Sequence, residues 1–316
     1  MDPRPDPAAA SALSCYTANL LEYLWRRCDN AHVALARSVR LAVRTDLPEG
    51  LLAFSHHARP LHHLPDGSRL AYRGAATAAA AVDGIAAELA AHGQVLIVTN
   101  RGRLPWGAPS GDREAPHFAL IDSHRGRWHV IDRFAALLPE GPQETFAGWI
   151  STAVLRRALS FTMPVPAQQL LRNEYAFGFP VRLPDDGAFQ WIVRVPPAEG
   201  EPAAELPGDW VLGSPAALDY LRGYLVARAG DGAAEVFLDD LWAAARHHAF
   251  RHRLGIAGTG ARADAAQACA DAAQAWTALP MTLRFAYDSA RRGRPRASLI
   301  GAAFDKLRLI EGGELS

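Results

Sequence analysis

The chain has 316 residues, 49% of them hydrophobic, which is enough for one large core or two modest ones and excludes disorder for all but the ends. Its 33 basic and 33 acidic side chains cancel, which excludes a nucleic-acid surface as the dominant feature, because affinity for phosphate backbones needs concentrated positive charge. The cysteines are Cys15, Cys28 and Cys269, too few and too scattered for a disulfide framework or a CxxC zinc or dithiol site. No apolar run approaches the ~20 residues needed to span a bilayer. The opening MDPRPDPAAASALSC lacks a basic leader followed by a long apolar stretch, so the expectation is a cytoplasmic protein without membrane contact.

From Thr17 onward, Leu20, Leu21, Leu24, Trp25 and Cys28 recur at helical spacing, with Glu22, Arg26 and Arg27 on the other face. This predicts an amphipathic helix with Cys28 on its buried side and Cys15 at or just before its first turn, capped by Ser11 or Ser14. A second helix is expected over residues 31–44. The stretch FSHHARPLHH carries His56, His57, His62 and His63 but has neither an HExxH helix nor a carboxylate and cysteine arrangement, so it reads as a wet loop beside a cleft and not as a metal site.

AATAAAAVDGIAAELAAHG predicts a helix ended by Gly93, and QVLIVTN a buried strand emerging into the turn RGRLPWG. HFALIDS and RWHVIDRF, joined by SHRGR, form a hairpin pattern, and GWISTAVLRRALSF reads as a closing helix. Together these predict an α+β domain over residues 1–160. In residues 161–316, EYAFGFPVRL and FQWIVRVPP read as strands. A mostly helical region follows, with one helix interrupted at Pro280. GIAGTG lies among helices and lacks a preceding strand, so no nucleotide cofactor is implied.

A cysteine at a helix N-terminus meets exposed N–H groups and the positive end of the helix dipole, which favour the thiolate. A histidine from a neighbouring sheet supplies the base, and a third group must hold that histidine's second ring nitrogen. Cys15 and His117 fit the first two roles. Asp132, at the end of the second hairpin arm, is better placed for the third than Asp122, which follows His117 on its own strand. His129 reads as structural. Trp106 and Trp149 are the tryptophans expected to line the cleft.

SCYTANLLEYLW, QVLIVTNRGRLPWG and PHFALIDSHRGRWHVIDRF, within residues 13–160, together resemble the N-terminal domain of the butirosin-biosynthesis acyltransferase family, which is related in fold to papain-like peptidases. The resemblance implies a papain-like catalytic domain with Cys15 as nucleophile, His117 as base and Asp132 as orienting acid. The family turn before Leu104-Pro105-Trp106 commonly carries an aspartate, whereas this chain has Asn100 and Arg101. Substrate contact by Asn100, Arg101 and Trp106 is therefore implied with a different charge. No glutamine precedes Cys15, which counts against ordinary proteolysis.

The resemblance further implies transfer of an acyl or aminoacyl group from a carrier-protein thioester to an amine or an internal nucleophile, in antibiotic or other natural-product biosynthesis. The only prosthetic group is then the carrier's own phosphopantetheine arm. Thioesterase or cyclase activity, and a noncatalytic scaffold, are the alternatives, and the sequence leaves self-association open. RHHAFRHR and RRGRPR are the concentrated basic features of the C-terminal half. Arg251, Arg253, Arg294 and Arg296 are accordingly the expected docking cations for an acidic carrier, against the plainer reading of solvated faces.

Overall fold

The computed structural model describes residues 13–26, 28, 30–107, 114–138, 141–185, 188–196, 204–230, 233–255 and 265–312. Ser11, Arg27 and most of GIAGTG lie outside the described residues. Helices and sheets mix in an α+β arrangement of two compact units, Met1–His32 with Pro60–Glu205 and Val33–Arg59 with Leu206–Ser316. The division therefore falls near residue 205 and not at 160, and an early segment, 33–59, belongs with the C-terminal part.

The first unit is built on a six-stranded sheet in the order β3-β10-β4-β5-β6-β9. Its strands are β3 (Arg69–Ala75), β4 (Val95–Asn100), β5 (Pro116–His124), β6 (Trp128–Asp132), β9 (Phe146–Ile150) and β10 (Phe189–Val195), all paired antiparallel. One face packs against α3 (Ala78–His92) and α4 (Thr152–Leu159) through Val82, Ile85, Leu155 and Leu159, meeting Ile97, Ala119, Val130 and Trp191. On the other face lies α1 (Cys15–Trp25), whose Tyr16 ring meets Phe118 edge-on at 6.0 Å. Because both faces are covered, β4 is buried along its whole length, as the unbroken run VLIVTN requires. Capping fixes α3 at both ends: Thr77 accepts from the Ala80 amide, and Gly93 takes a left-handed φ of 73°.

Several expected elements differ. Residues 31–44 are a short helix, α2 (Ala31–Ser38), running directly into strand β1 (Val39–Arg44). The β-branched alternation of VRLAVR wins once pairing with β2 (Ala53–His57) is available. GWI is strand β9 and only the following residues are helical, with Ser151 capping Val154. EYAFGFPVRL forms no strand: α5 (Ala167–Glu174) ends there and turns follow. FQWIVRV is a strand, as expected, but it inserts between β3 and β4 of the first unit, which moves the boundary. Cys28 lies beyond the end of α1 and is part-buried. A two-stranded ribbon, β7 (Ala136–Leu138) with β8 (Gly141–Gln143), completes the described strands of this unit.

The second unit packs β1, β2 and β11 (Trp210–Val211) with α6 (Ser214–Ala227), α7 (Leu238–Arg253), α8 (Ala265–Arg291) and α9 (Ala297–Gly312). Its core gathers Leu41, Phe54, Leu221, Leu241, Trp276, Leu283 and Phe304. Helix α8 continues through Pro280 without a break. His56 and His57 are not on a wet loop: they lie buried on β2, with the His247 ring 5.2 and 4.9 Å away. Burial, with Arg40 and His248 nearby, holds His57 down to about 3, so it is neutral at pH 7. RHHAFRHR is not a solvated face either, because His247, His248 and His252 are buried. Buried Glu311 receives Arg251 at 2.6 Å, His252 at 3.0 Å, His248 at 3.2 Å and the Trp276 indole at 2.9 Å. Among the described residues no helix is long and apolar enough to cross a membrane.

Gly84, on α3, fits because a Cβ there would lie 2.3 Å from the Trp191 ring. Gly84→Ala gains about 1 kcal/mol of helix propensity but forces the ring out of its site, an overpacking cost of about 1–3 kcal/mol. Chemical denaturation should show a net loss of stability. An alanine variant more stable than wild type would contradict this packing.

Candidate active site

Cys15 is the first residue of α1, and the apolar stripe of that helix sets its position over the sheet: Tyr16, Leu20, Leu21 and Tyr23 are buried. Ser14 occupies the cap position but makes no side-chain cap, its hydroxyl donating instead to Thr17 Oγ1 at 3.0 Å. The first-turn N–H groups of α1 thus receive no side-chain cap from Ser14.

His117 enters from β5, paired with Thr99 of β4, whose hydroxyl donates to the His117 carbonyl at 2.7 Å. Leu120 pairs with Ile131 across the hairpin, so His117 and Asp132 fall on one face of the sheet. Their side chains meet at 2.7 Å, His117 Nε2 to Asp132 Oδ2, and both are buried. With Nε2 occupied, the other ring nitrogen is left for Cys15, with which His117 shares a side-chain hydrogen bond.

Asp132 is fully buried and accepts further bonds from the Asn19 amide at 3.1 Å, the Trp106 indole at 2.9 Å and its own Phe134 N–H at 3.0 Å. Burial alone would push this carboxyl up, but the His117 charge and these donors hold it below the usual carboxylate range. Burial likewise lowers His117, and the opposing charges of Asp132 and Cys15 overcome it, raising the imidazole to about 10. Burial also raises Cys15, and the His117 charge, its hydrogen bond and the Phe118 N–H outweigh that, leaving the thiol below its ordinary 9.0. The three directions agree on a thiolate–imidazolium pair leaning on a carboxylate. Cys15 itself is only part-buried.

Asn19 and the second role of Trp106 were not legible in the sequence. Asn19 sits one turn after Cys15 and also donates to the Cys15 and Phe118 carbonyls, while its oxygen accepts from Arg133 N–H at 2.9 Å. The signal was present as a buried asparagine in an apolar helical stripe. Trp106 is part-buried and stacks on Phe146 at 4.4 Å and 6°, so β9 holds the indole against Asp132.

Asp122 is committed elsewhere. It pairs with Arg26 at 2.5 Å and His129 at 2.6 Å, fastening the far end of α1. Trp149, at the edge of β9, is 39% exposed, and its ring lies 5.1 Å from His129, so it is not among the Asp132 partners. Asn100 is buried and serves the turn: its amide donates to the Ser160 carbonyl at 2.8 Å and its oxygen accepts from Gly102 N–H at 3.0 Å. These bonds tie Asn100 into the turn. Arg101 opens the 3-10 turn after β4.

The four expected docking arginines belong to the second unit. Arg251 is consumed by Glu311, Arg253 reaches Thr277 at 3.5 Å, and Arg296 donates to the Ser289 hydroxyl at 3.1 Å. Arg294 is exposed, with its backbone tied to Ser289. The open basic helix face expected from RHHAFRHR is therefore absent at Arg251, because an internal carboxylate takes that charge.

No group of three or more metal-ligating side chains occurs among the described residues. Compared with known protein families the chain matches none, and no curated protein matches it either.

Removing the imidazole should leave Cys15 with burial and no cation to oppose it. In H117A the rate of iodoacetamide modification of Cys15 at pH 6.5 is expected to fall roughly 10- to 100-fold, with the apparent thiol pKa rising. Peptide mapping should find wild-type Cys15 modified ahead of Cys28 and Cys269. Equal rates at the three thiols, or an unchanged profile in H117A, would contradict the ion pair.

Proposed function

We propose that the protein is a cysteine-dependent acyltransferase of papain-like type, in which Cys15 takes an acyl or aminoacyl group from a thioester and passes it to an amine. The observation that carries this reading is one arrangement of three side chains: a part-exposed thiol at a helix start, hydrogen-bonded to an imidazole whose other nitrogen is held 2.7 Å from a buried carboxylate. The Cys15 thiolate attacks the thioester carbonyl, and the tetrahedral oxyanion draws on the backbone N–H groups that begin α1. The donor thiol then leaves with the proton held by His117. His117, now neutral, takes a proton from the incoming amine, which displaces Cys15 and restores the thiolate.

A thioester donor suits this site because exchange of one thioester for another conserves the acyl bond energy. The resemblance of SCYTANLLEYLW and PHFALIDSHRGRWHVIDRF to the butirosin-biosynthesis acyltransferases supports a carrier protein as donor and a natural-product setting. Water or an internal nucleophile attacking the same intermediate would make the protein a thioesterase or cyclase.

Incubation with acyl N-acetylcysteamine thioesters of varied chain should add one acyl mass to the wild type at Cys15 and none to C15A. D132N should keep its fold while the acylation rate drops roughly 10²–10⁴-fold, as in comparable triads. Acyl addition to C15A at the wild-type rate would remove Cys15 from the reaction, and no addition from any thioester would sink the reading.

A further inference from the structure

Along the outer edge of the first unit's sheet runs a cavity of about 580 Å³, bounded by β3 on one side and residues 180–185 on the other. Strand β3 ends the sheet, and beyond a single antiparallel bridge between Arg69 and His63 its outer edge pairs with no strand among the described residues. The Leu70 N–H turns away from β10 to donate to the His62 carbonyl at 2.8 Å. Backbone groups two residues apart on a strand point the same way, so the amides of Tyr72 and Gly74 face that outer edge, where both residues line the cavity. Among the described residues neither amide has a hydrogen-bond partner on that side.

The walls are cationic. Arg69, Arg73 and Arg182 line the cavity against one acid, Asp185, which pairs with Arg182 at 2.6 Å. Burial, with His63 and Arg69 nearby, holds His62 at about 4, so it adds no charge at pH 7. Arg73 is exposed and has no ion-pair or hydrogen-bond partner among the described residues. An unpaired guanidinium beside two edge N–H groups is the donor set an anion needs.

One lining residue, Tyr72, connects the cavity to the surroundings of the catalytic thiol. The buried Tyr72 ring lies 6.4 Å from Phe118, whose N–H reaches Cys15, and its hydroxyl is fixed by the Asn173 carbonyl at 2.7 Å. The charge of Cys15 is felt at the Tyr72 phenol, which burial first, then Tyr16 and Cys15, push well above its ordinary value.

We infer that this cavity is an anion site, in which Arg73 and the edge amides of Tyr72 and Gly74 hold a phosphate or carboxylate carried by the molecule that presents its acyl group to Cys15. The inference rests on the acyl-transfer reading for the identity of that molecule, but the anion site itself can be tested without it. In ¹⁵N-labelled C15A protein, inorganic phosphate and acetate are titrated separately at constant ionic strength, with chloride as control. The Tyr72 and Gly74 amides should shift saturably with the preferred anion, and R73A should weaken that binding roughly tenfold. Response to phosphate alone identifies a phosphate-bearing ligand, and response to acetate alone a carboxylate. Unmoved amides, or equal binding in R73A, would overturn the site.

In the wild type, the anion that binds should slow Cys15 acylation by a thioester carrying the same group and leave a neutral N-acetylcysteamine thioester unaffected. Equal effects on the two would overturn the link between cavity and thiol. Failure of both thioesters to label Cys15 would count against acyl transfer, while the amide titration would still decide the anion site.

Discussion

The site depends on one buried carboxylate. Asp132 is fully removed from solvent, and an ionised carboxylate in such a place is tolerated only when its lone pairs are met. Four donors meet them, and each comes from a different piece of chain: Asn19 from α1, Trp106 from the turn after β4, His117 from β5, and the Phe134 N–H from the residues after β6. Satisfying this charge therefore fixes a helix, a turn and two strands against one another.

The consequence for chemistry runs through Asn19. Its amide bonds tie α1 to Asp132, to the Phe118 carbonyl and, through its oxygen, to Arg133, while Glu22 adds an ion pair to Arg133 at 3.0 Å. At the other end of the helix Arg26 is held by Asp122. A helix pinned at these points has little freedom to slide, so the Cys15 sulfur stays within hydrogen-bonding reach of His117. The same carboxylate that holds the helix also keeps the imidazole charged, so position and electrostatics come from a single group. Trp106 has the same double use, because its stacking on Phe146 braces the turn while its N–H neutralises part of Asp132.

How far the sequence could be read follows from how local each signal is. Cys15 at a helix start, the buried strand VLIVTN and the hairpin bearing His117 and Asp132 were legible because periodicity and turn residues act over a few positions. Val39–Arg44 was misread because no glycine or proline marks the change from helix to strand, and VRLAVR suits either until β2 pairs with it. The place of β10 between β3 and β4 was invisible for the opposite reason, since nothing within FQWIVRV names a partner more than ninety residues away. The histidines of FSHHARPLHH and RHHAFRHR read as polar surface by composition. Of these, His56, His57, His247, His248 and His252 are buried in the second unit, where Phe54 stacks on His56 and the Glu311 carboxylate meets His248 and His252, while His63 is exposed.

The central claim is that Asp132 keeps His117 protonated beside a cysteine thiolate. Imidazole NMR of ¹³C,¹⁵N-histidine-labelled protein, with the His117 signals assigned by their loss in H117A, reads that state directly. The account predicts a cationic ring with both nitrogens protonated from pH 6 to 8 and a titration near 10, because the raised pKa keeps the proton on until the pH passes that value. A His117 ring that is neutral at pH 7, titrating at or below the ordinary 6.5, would contradict it.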